Sequence, residues 1–132
     1  MELKELFEAA LNASKKSYSP YSKFPVGAAL LMEDGTIITG VNVENRSYGL
    51  TNCAERTAVF TAVTKGYSCF KALAIAAPKA DYPVGPCGAC RQVLTEFAPK
   101  DTPVIFGNSY EKSVTKTLGE LYPFDSLHEL AD

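Results

Sequence analysis

Three cysteines and one glutamate carry the chemistry that this sequence could perform. Cys53-Ala54-Glu55 opens one stretch of helical pattern, Pro86-Cys87-Gly88-Ala89-Cys90 opens another, and a short apolar run between them can lay the two side by side. Cys87 and Cys90 lie three apart and share a helix face. Cys53 adds a third thiolate from the partner helix, so Cys53, Cys87 and Cys90 fill three tetrahedral positions of a zinc ion and leave the fourth free. An open position marks a catalytic metal. Helix amino termini suit thiolates, because their unpaired N–H groups and positive dipole end compensate the charge. Glu55 does not share a lateral face with Cys53, but both reach a point beyond the first turn. There Glu55 is the base beside the metal's water and not a fourth ligand.

Three thiolates and Zn²⁺ sum to one negative charge, which calls for a cation nearby. Arg56 and Arg91 immediately follow ligand-bearing positions and are candidates to hydrogen-bond the sulfurs; a solvent-facing helix charge is the alternative for each. Cys69 could close the fourth position and make the metal structural, yet its place just before a buried strand reads as a small core residue. A Cys-x-x-Cys redox pair would need no third cysteine beside a carboxylate. His128, the one histidine, reads as a surface residue of the tail.

The elements that must position these groups follow from periodicity. Leu3, Leu6, Phe7, Ala10 and Leu11 repeat at three and four, predicting an amphipathic helix over residues 3 to about 16. Pro20 and Pro25 interrupt the next stretch and hold Tyr21 and Phe24 close to the strand that follows; the plain alternative for Phe24 is a core plug. Residues 26 to 32 and the run TIITGVNVEN flank Asp34-Gly35 as a β-hairpin. After a turn-like NRSYGLTN, the segment CAERTAVFTAVTKG reads as a helix with small or apolar residues at 54, 58, 59, 62 and 63, closed by Gly66. FKALAIAA is a buried strand, CGACRQVLTEF a helix through Ala89, Val93, Leu94 and Phe97, and PVIFG a further strand. Residues 113–117 follow too closely for a parallel crossover, so the last two strands pair antiparallel. The order implies an α/β domain with a mixed five-stranded sheet covered by helices. A short helix then leads to Leu121, Tyr122 and Phe124, too apolar for a free tail and suited to packing on a neighbouring subunit.

With 132 residues, 46% of them apolar and 21% charged, the chain is long enough for one domain over residues 1–132 with a core that needs no disulfides. Thirteen cationic against fifteen acidic side chains give a net charge of −2, spread without a basic run, which argues against nucleic acid and for a small-molecule partner. The absence of an apolar stretch of about 18 residues and of a secretory core predicts no membrane span and a cytoplasmic protein, whose reducing surroundings favour metal chemistry for the cysteines.

The motifs resemble those of the zinc-dependent nucleoside deaminases, specifically the small homotetrameric cytidine deaminases, through PYSKFPVGAAL, NVEN, TNCAERTAVFTAV, PCGACRQVLTEF and the ELYPF tail. The three-cysteine form is similar to these or to blasticidin S deaminases; relatives acting on deoxycytidylate, guanine or adenosine in transfer RNA usually present histidine first. The resemblance implies a three-layer fold, a homotetramer, one zinc per subunit with bound water or hydroxide, and hydrolytic deamination of cytidine and 2'-deoxycytidine to uridine and 2'-deoxyuridine with release of ammonia, in pyrimidine salvage. It also implies that Cys53, Cys87 and Cys90 bind the metal, Glu55 shuttles protons, the Ala54 backbone holds the pyrimidine edge and Phe24 lies against the base. Asn42 and Glu44 would hydrogen-bond the ribose, Tyr48 would lie near the intersubunit part of the site, and Phe124 would reach a neighbouring subunit's base. Read from the residues alone, Asn42 and Glu44 are two apart at a strand end and share a side, with a polar surface turn as the alternative. Arg46 departs from the family, which usually carries a small residue there. The rival readings are a deaminase of polynucleotides, which would need a cationic track, a blasticidin-type enzyme, and a zinc-stabilised binding module, which would close the metal's fourth position.

Overall fold

The computed structural model describes residues 2–127 and Leu130; His128 lies outside them. Helix α1, Leu3–Ser14, is followed by strands β1, Gly27–Met32, and β2, Ile37–Val41, a short 3₁₀ turn at Tyr48–Leu50, and helix α2, Ala54–Thr64. Then come β3, Phe70–Ala76, α3, Gly88–Thr95, β4, Pro103–Gly107, β5, Val114–Thr117, and the single-turn helix α4, Leu118–Leu121. The five strands form one sheet in the order β2-β1-β3-β4-β5. Among the strands of the described residues only the β3–β4 pair runs parallel, with α3 in the crossover between them, while β4 and β5 pair antiparallel as the short connection requires.

Alternation along the strands divides the core into two layers. Ala29, Ala72, Ala74, Ala76 and Ile105 face α1 through Leu6, Phe7 and Ala10. Leu30, Leu73, Ile75, Val104 and Phe106 face the opposite way, onto Ala58 and Val59 of α2 and Leu94 of α3. The small side chains let the helices approach closely: a Cβ placed on Gly40 would lie 2.4 Å from the Ala58 nitrogen, so β2 and α2 touch backbone to backbone. The hairpin turns at Gly35, whose φ of 88° is open to glycine, and Asp34 Oδ1 accepts from the Thr36 amide at 3.0 Å. Gly66 ends α2 with φ 96°, and Thr117 with Glu120 forms a capping box for α4.

Three details differ from the pattern reading. α3 turns Cys90 and Leu94 inward and leaves Ala89 exposed, because the buried stripe starts at a sulfur and not at the first alanine. Val63 is exposed and Glu55 instead completes the buried face of α2. Cys69 is half-buried and donates to Glu33 Oε1 at 2.8 Å, so it is a surface partner and not a core residue. No helix of the described residues is long and apolar enough to cross a membrane.

Candidate active site

Cys53 caps the amino end of α2 and Cys87 that of α3, both in extended backbone conformation, while Cys90 lies one turn into α3 and is buried. The layer that packs α2 beside α3 thus brings two helix amino termini to one point. Their three Sγ atoms lie within 4.8 Å of one another, Cys53 to Cys87 at 3.7 Å and Cys87 to Cys90 at 3.3 Å. A tetrahedral zinc with bonds of about 2.3 Å to sulfur sets sulfurs roughly 3.8 Å apart, so the donor set and its spacing fit that ion. Among the described residues no fourth histidine, cysteine, aspartate or glutamate joins the cluster, Cys69 included.

The surroundings compensate the sulfurs. The Cys90 amide donates to Cys87 Sγ at 3.4 Å and Arg56 Nη2 donates to Cys53 Sγ at 3.4 Å. The Arg56 Nε is buried and has no hydrogen-bond partner among the described residues, one further cationic donor held inside the site. Cys53 is pulled down to about 5, by a hydrogen bond from Cys90 foremost and then by Arg56 and Cys87. Cys90 is pushed up by the same bond and by burial. Arg91 departs from the expectation that it binds a sulfur: its Nε donates to Pro86 O and its Nη1 to Leu121 O, each at 2.7 Å. Those carbonyls outcompete a sulfur because they lie on the chain just before Cys87 and on the tail packed against α3.

Glu55 is 4% exposed. Burial pushes its carboxyl up to about 7, and the nearby Cys53 charge adds to the rise. A carboxyl at that value both takes and returns a proton near neutral pH. Ala54, buried at the first position of α2, keeps its backbone at the same helix end.

A second group of residues converges at the end of β2. Asn42 is 8% exposed; its Oδ1 accepts from the Val26 amide at 3.0 Å and from the Ser17 hydroxyl, and its Nδ2 donates to Phe24 O at 2.9 Å. The Val26 amide can only donate, which fixes the orientation of the side chain. Glu44 accepts from the Tyr21 and Ser22 amides at 3.0 and 3.1 Å and from the Ser22 hydroxyl. The Ser22 hydrogen bond, chiefly, holds its carboxyl below the ordinary range. These partners leave one N–H on Asn42 and one lone pair on Glu44 uncommitted among the described residues, a donor and an acceptor two positions apart. The same bonds fasten the 17–26 loop that bears Phe24, which is half-buried. Tyr48 is exposed and its ring stands 6.0 Å from that of Tyr21; Arg46 is exposed, and Phe124 is 90% exposed.

Sequence reasoning missed Ser17 and Ser22, whose short side chains shape the loop, and Gln92, which bonds Tyr122 thirty residues away. The serines carried a weak signal as loop residues with side-chain acceptors in reach. Gln92 carried none, because its partners are set by tertiary packing.

Comparison with known proteins places this arrangement. A cytidine deaminase of Sporosarcina psychrophila is 50% identical over 123 residues, 93% of this chain and 90% of that protein. A cytidine deaminase of Halalkalibacterium halodurans is also 50% identical over 123 residues, with 93% and 92% covered. The crystal structure of cytidine deaminase from Burkholderia pseudomallei superposes with a TM-score of 0.88 at 46% identity, covering 93% of this chain and 98% of that one. Residues 1–106, which include all three clustered cysteines and Glu55, match the model for the cytidine and deoxycytidylate deaminase zinc-binding region, and the chain belongs to that family.

Proposed function

We propose that the chain, as one domain over residues 1–132, is a zinc-dependent aminohydrolase that converts free cytidine and 2'-deoxycytidine to uridine and 2'-deoxyuridine with release of ammonia. It acts as a homotetramer in cytoplasmic pyrimidine salvage. The observation that carries the reading is the convergence of three sulfurs within 4.8 Å at two helix amino termini, on the helix that also carries a deeply buried carboxyl. Four free cysteines suit a reducing compartment.

Cys53, Cys87 and Cys90 would hold one zinc per subunit, with Arg56 offsetting their charge. When bound, the metal supplies a water acidified from its bulk value to near neutrality, the nucleophile for a ring carbon that bears an amino group. Glu55 would accept the first proton of that water and pass it to ring N3, then take the proton of the newly formed C4 hydroxyl and pass it to the amino group as the C4–N bond breaks; its burial keeps bulk water out of the relay. The Ala54 backbone holds the pyrimidine edge and Phe24 packs on the base. Asn42 offers its remaining N–H and Glu44 its remaining lone pair to the ribose hydroxyls. Tyr48 borders the mouth with Tyr21, and Phe124, exposed on its own chain, covers the base bound by a neighbouring subunit.

Glu44 favours a nucleoside over a nucleotide, since a carboxylate captures a hydroxyl and repels a 5'-phosphate. A net charge of −2 gives no track for a polynucleotide. Arg46 at the exposed turn bears on substrate range. The test is ammonia release by zinc-quantified protein with cytidine, deoxycytidine, deoxycytidylate, adenosine and blasticidin S. Cytidine and deoxycytidine turn over, and Glu55→Gln keeps fold and zinc while losing roughly 10²- to 10⁴-fold in turnover or more. Wild-type turnover by Glu55→Gln, or folded protein that binds no zinc, defeats the reading.

A further inference from the structure

Helix α3 continues past Cys90 into Arg91 and Gln92, and both side chains reach the C-terminal segment. Arg91 joins Pro86 O to Leu121 O, tying the residue before Cys87 to the last residue of α4. Gln92 carries the connection further. Its Oε1 accepts from the Tyr122 hydroxyl at 2.6 Å, and its Nε2 donates to Asp125 Oδ1 at 3.4 Å and to Thr95 Oγ1 at 3.4 Å. Asp125 Oδ1 also accepts from the Leu127 amide at 2.9 Å, closing the turn after Phe124.

Tyr122 and Asp125 bracket Pro123 and Phe124 in sequence, and one amide grips both. Pro123 restricts its own φ, leaving little slack between the two grips. Phe124 itself is 90% exposed, so burial of its ring on its own chain does not order it. Hydrogen bonds flank it instead, one on Tyr122 and one on Asp125. Because Gln92 follows Cys90 by two positions on the same helix, one helix joins the cysteine cluster to the segment bearing the exposed aromatic ring.

We propose that Gln92 is a positioning residue that sets the direction of Phe124, by holding Tyr122 with its carbonyl and Asp125 with its amide, while Arg91 anchors the same segment to the chain entering the cysteine cluster. This rests on the reading above in which Phe124 covers a neighbouring subunit's base. The contribution is to substrate capture and not to proton transfer, since no member of the network belongs to the cysteine–Glu55 group. It therefore moves KM and spares kcat.

The experiment measures KM and kcat for cytidine, zinc content and assembly in Gln92→Glu, Asp125→Asn, their combination, Phe124→Ala, and Gln92→Glu with Phe124→Ala. Gln92→Glu still accepts from Tyr122 but sets a like charge against Asp125. It raises KM roughly tenfold with kcat within about twofold, the size of one charge-assisted hydrogen bond turned into a repulsion. The combination with Asp125→Asn restores an acceptor–donor pair at unchanged net charge and returns KM to within about threefold. In the Phe124→Ala background, Gln92→Glu changes KM no further. An unchanged KM in Gln92→Glu, or an equal rise with Phe124 removed, overturns the proposal.

A readout without substrate keeps this separate from the catalytic reading. The chain has no tryptophan, so Phe124→Trp introduces a single reporter. Its fluorescence anisotropy falls when Gln92→Glu is added and recovers with Asp125→Asn. If wild-type protein leaves cytidine untouched, the functional reading fails, and an anisotropy indifferent to Gln92 overturns the network.

Discussion

At the scale of single residues, the chemistry depends on how charge is distributed over a small volume. Three sulfurs and Glu55 would repel one another without compensation, and Arg56 is the cationic side chain that donates to Cys53 Sγ among the described residues. Removing a group that orients and neutralises a ligand typically costs 10- to 100-fold in metal affinity. Arg56→Gln is therefore expected to lose zinc to a competing chelator roughly 10- to 100-fold more readily than wild type, read by a colorimetric zinc indicator. Arg91→Gln should leave that competition nearly unchanged, since its donors are engaged with carbonyls. Equal zinc loss by the two variants would assign them the same role and contradict the geometry.

At the scale of elements, the site depends on how closely α2 lies on the sheet. Gly40 sits where any Cβ would meet the backbone of Ala54 and Ala58 at 2.4–2.8 Å, and α2 begins at the residue after Cys53. Gly40→Ala is expected to push the helix outward, costing roughly 1–3 kcal/mol in urea denaturation and lowering zinc occupancy. Gly49→Ala, with nothing within 4 Å of its Cβ, should change neither. The β1–β2 turn gives a pH prediction. Asp34 accepts from the Thr36 amide and from the Tyr67 hydroxyl at 2.9 Å, and the Thr36 bonds, chiefly, lower its pKa. A folded-state pKa below the unfolded value contributes stability that is complete above the ordinary aspartate range and lost as pH falls through the lowered value. Asp34→Asn should thus lower the melting temperature at pH 7 and narrow its gap to wild type as pH falls through the lowered carboxyl value and the wild-type charge is lost. A gap that is constant with pH would rule out the charged hydrogen bonds as its source.

At the scale of the whole molecule, the exposed Phe124 and Tyr48 separate what one chain holds from what an assembly would complete. Four chains of 14.2 kDa would sediment at about 57 kDa. If Phe124 serves a neighbouring subunit, two impaired parents complement each other at cytidine concentrations well below KM: Phe124→Ala supplies Glu55 and Glu55→Gln supplies Phe124. Co-refolded mixtures are expected to release ammonia from cytidine severalfold faster than the sum of the parents. Activity that merely averages the parents would place Phe124 at its own subunit's site or at none.

Much of the fold was legible because it is local. The hairpin is written in Asp34-Gly35, the end of α2 in Gly66, and the antiparallel last pair in a connection too short for a crossover. The cysteine spacing was equally direct, since residues three apart share a helix face whatever the rest of the chain does. The same logic failed where partners lie far apart in sequence. Arg91 stands beside Cys90 and yet binds Leu121, Glu55 is buried while Val63, counted inward by the helical spacing, is exposed, and Cys69 pairs with Glu33. The sequence by itself determined which groups could do chemistry and which short segments would carry them. The packing of α2 beside α3 on one sheet face decided that the sulfurs meet, that Glu55 is desolvated, and which donors each charge receives, because burial and long-range contacts exist only once the layers have closed.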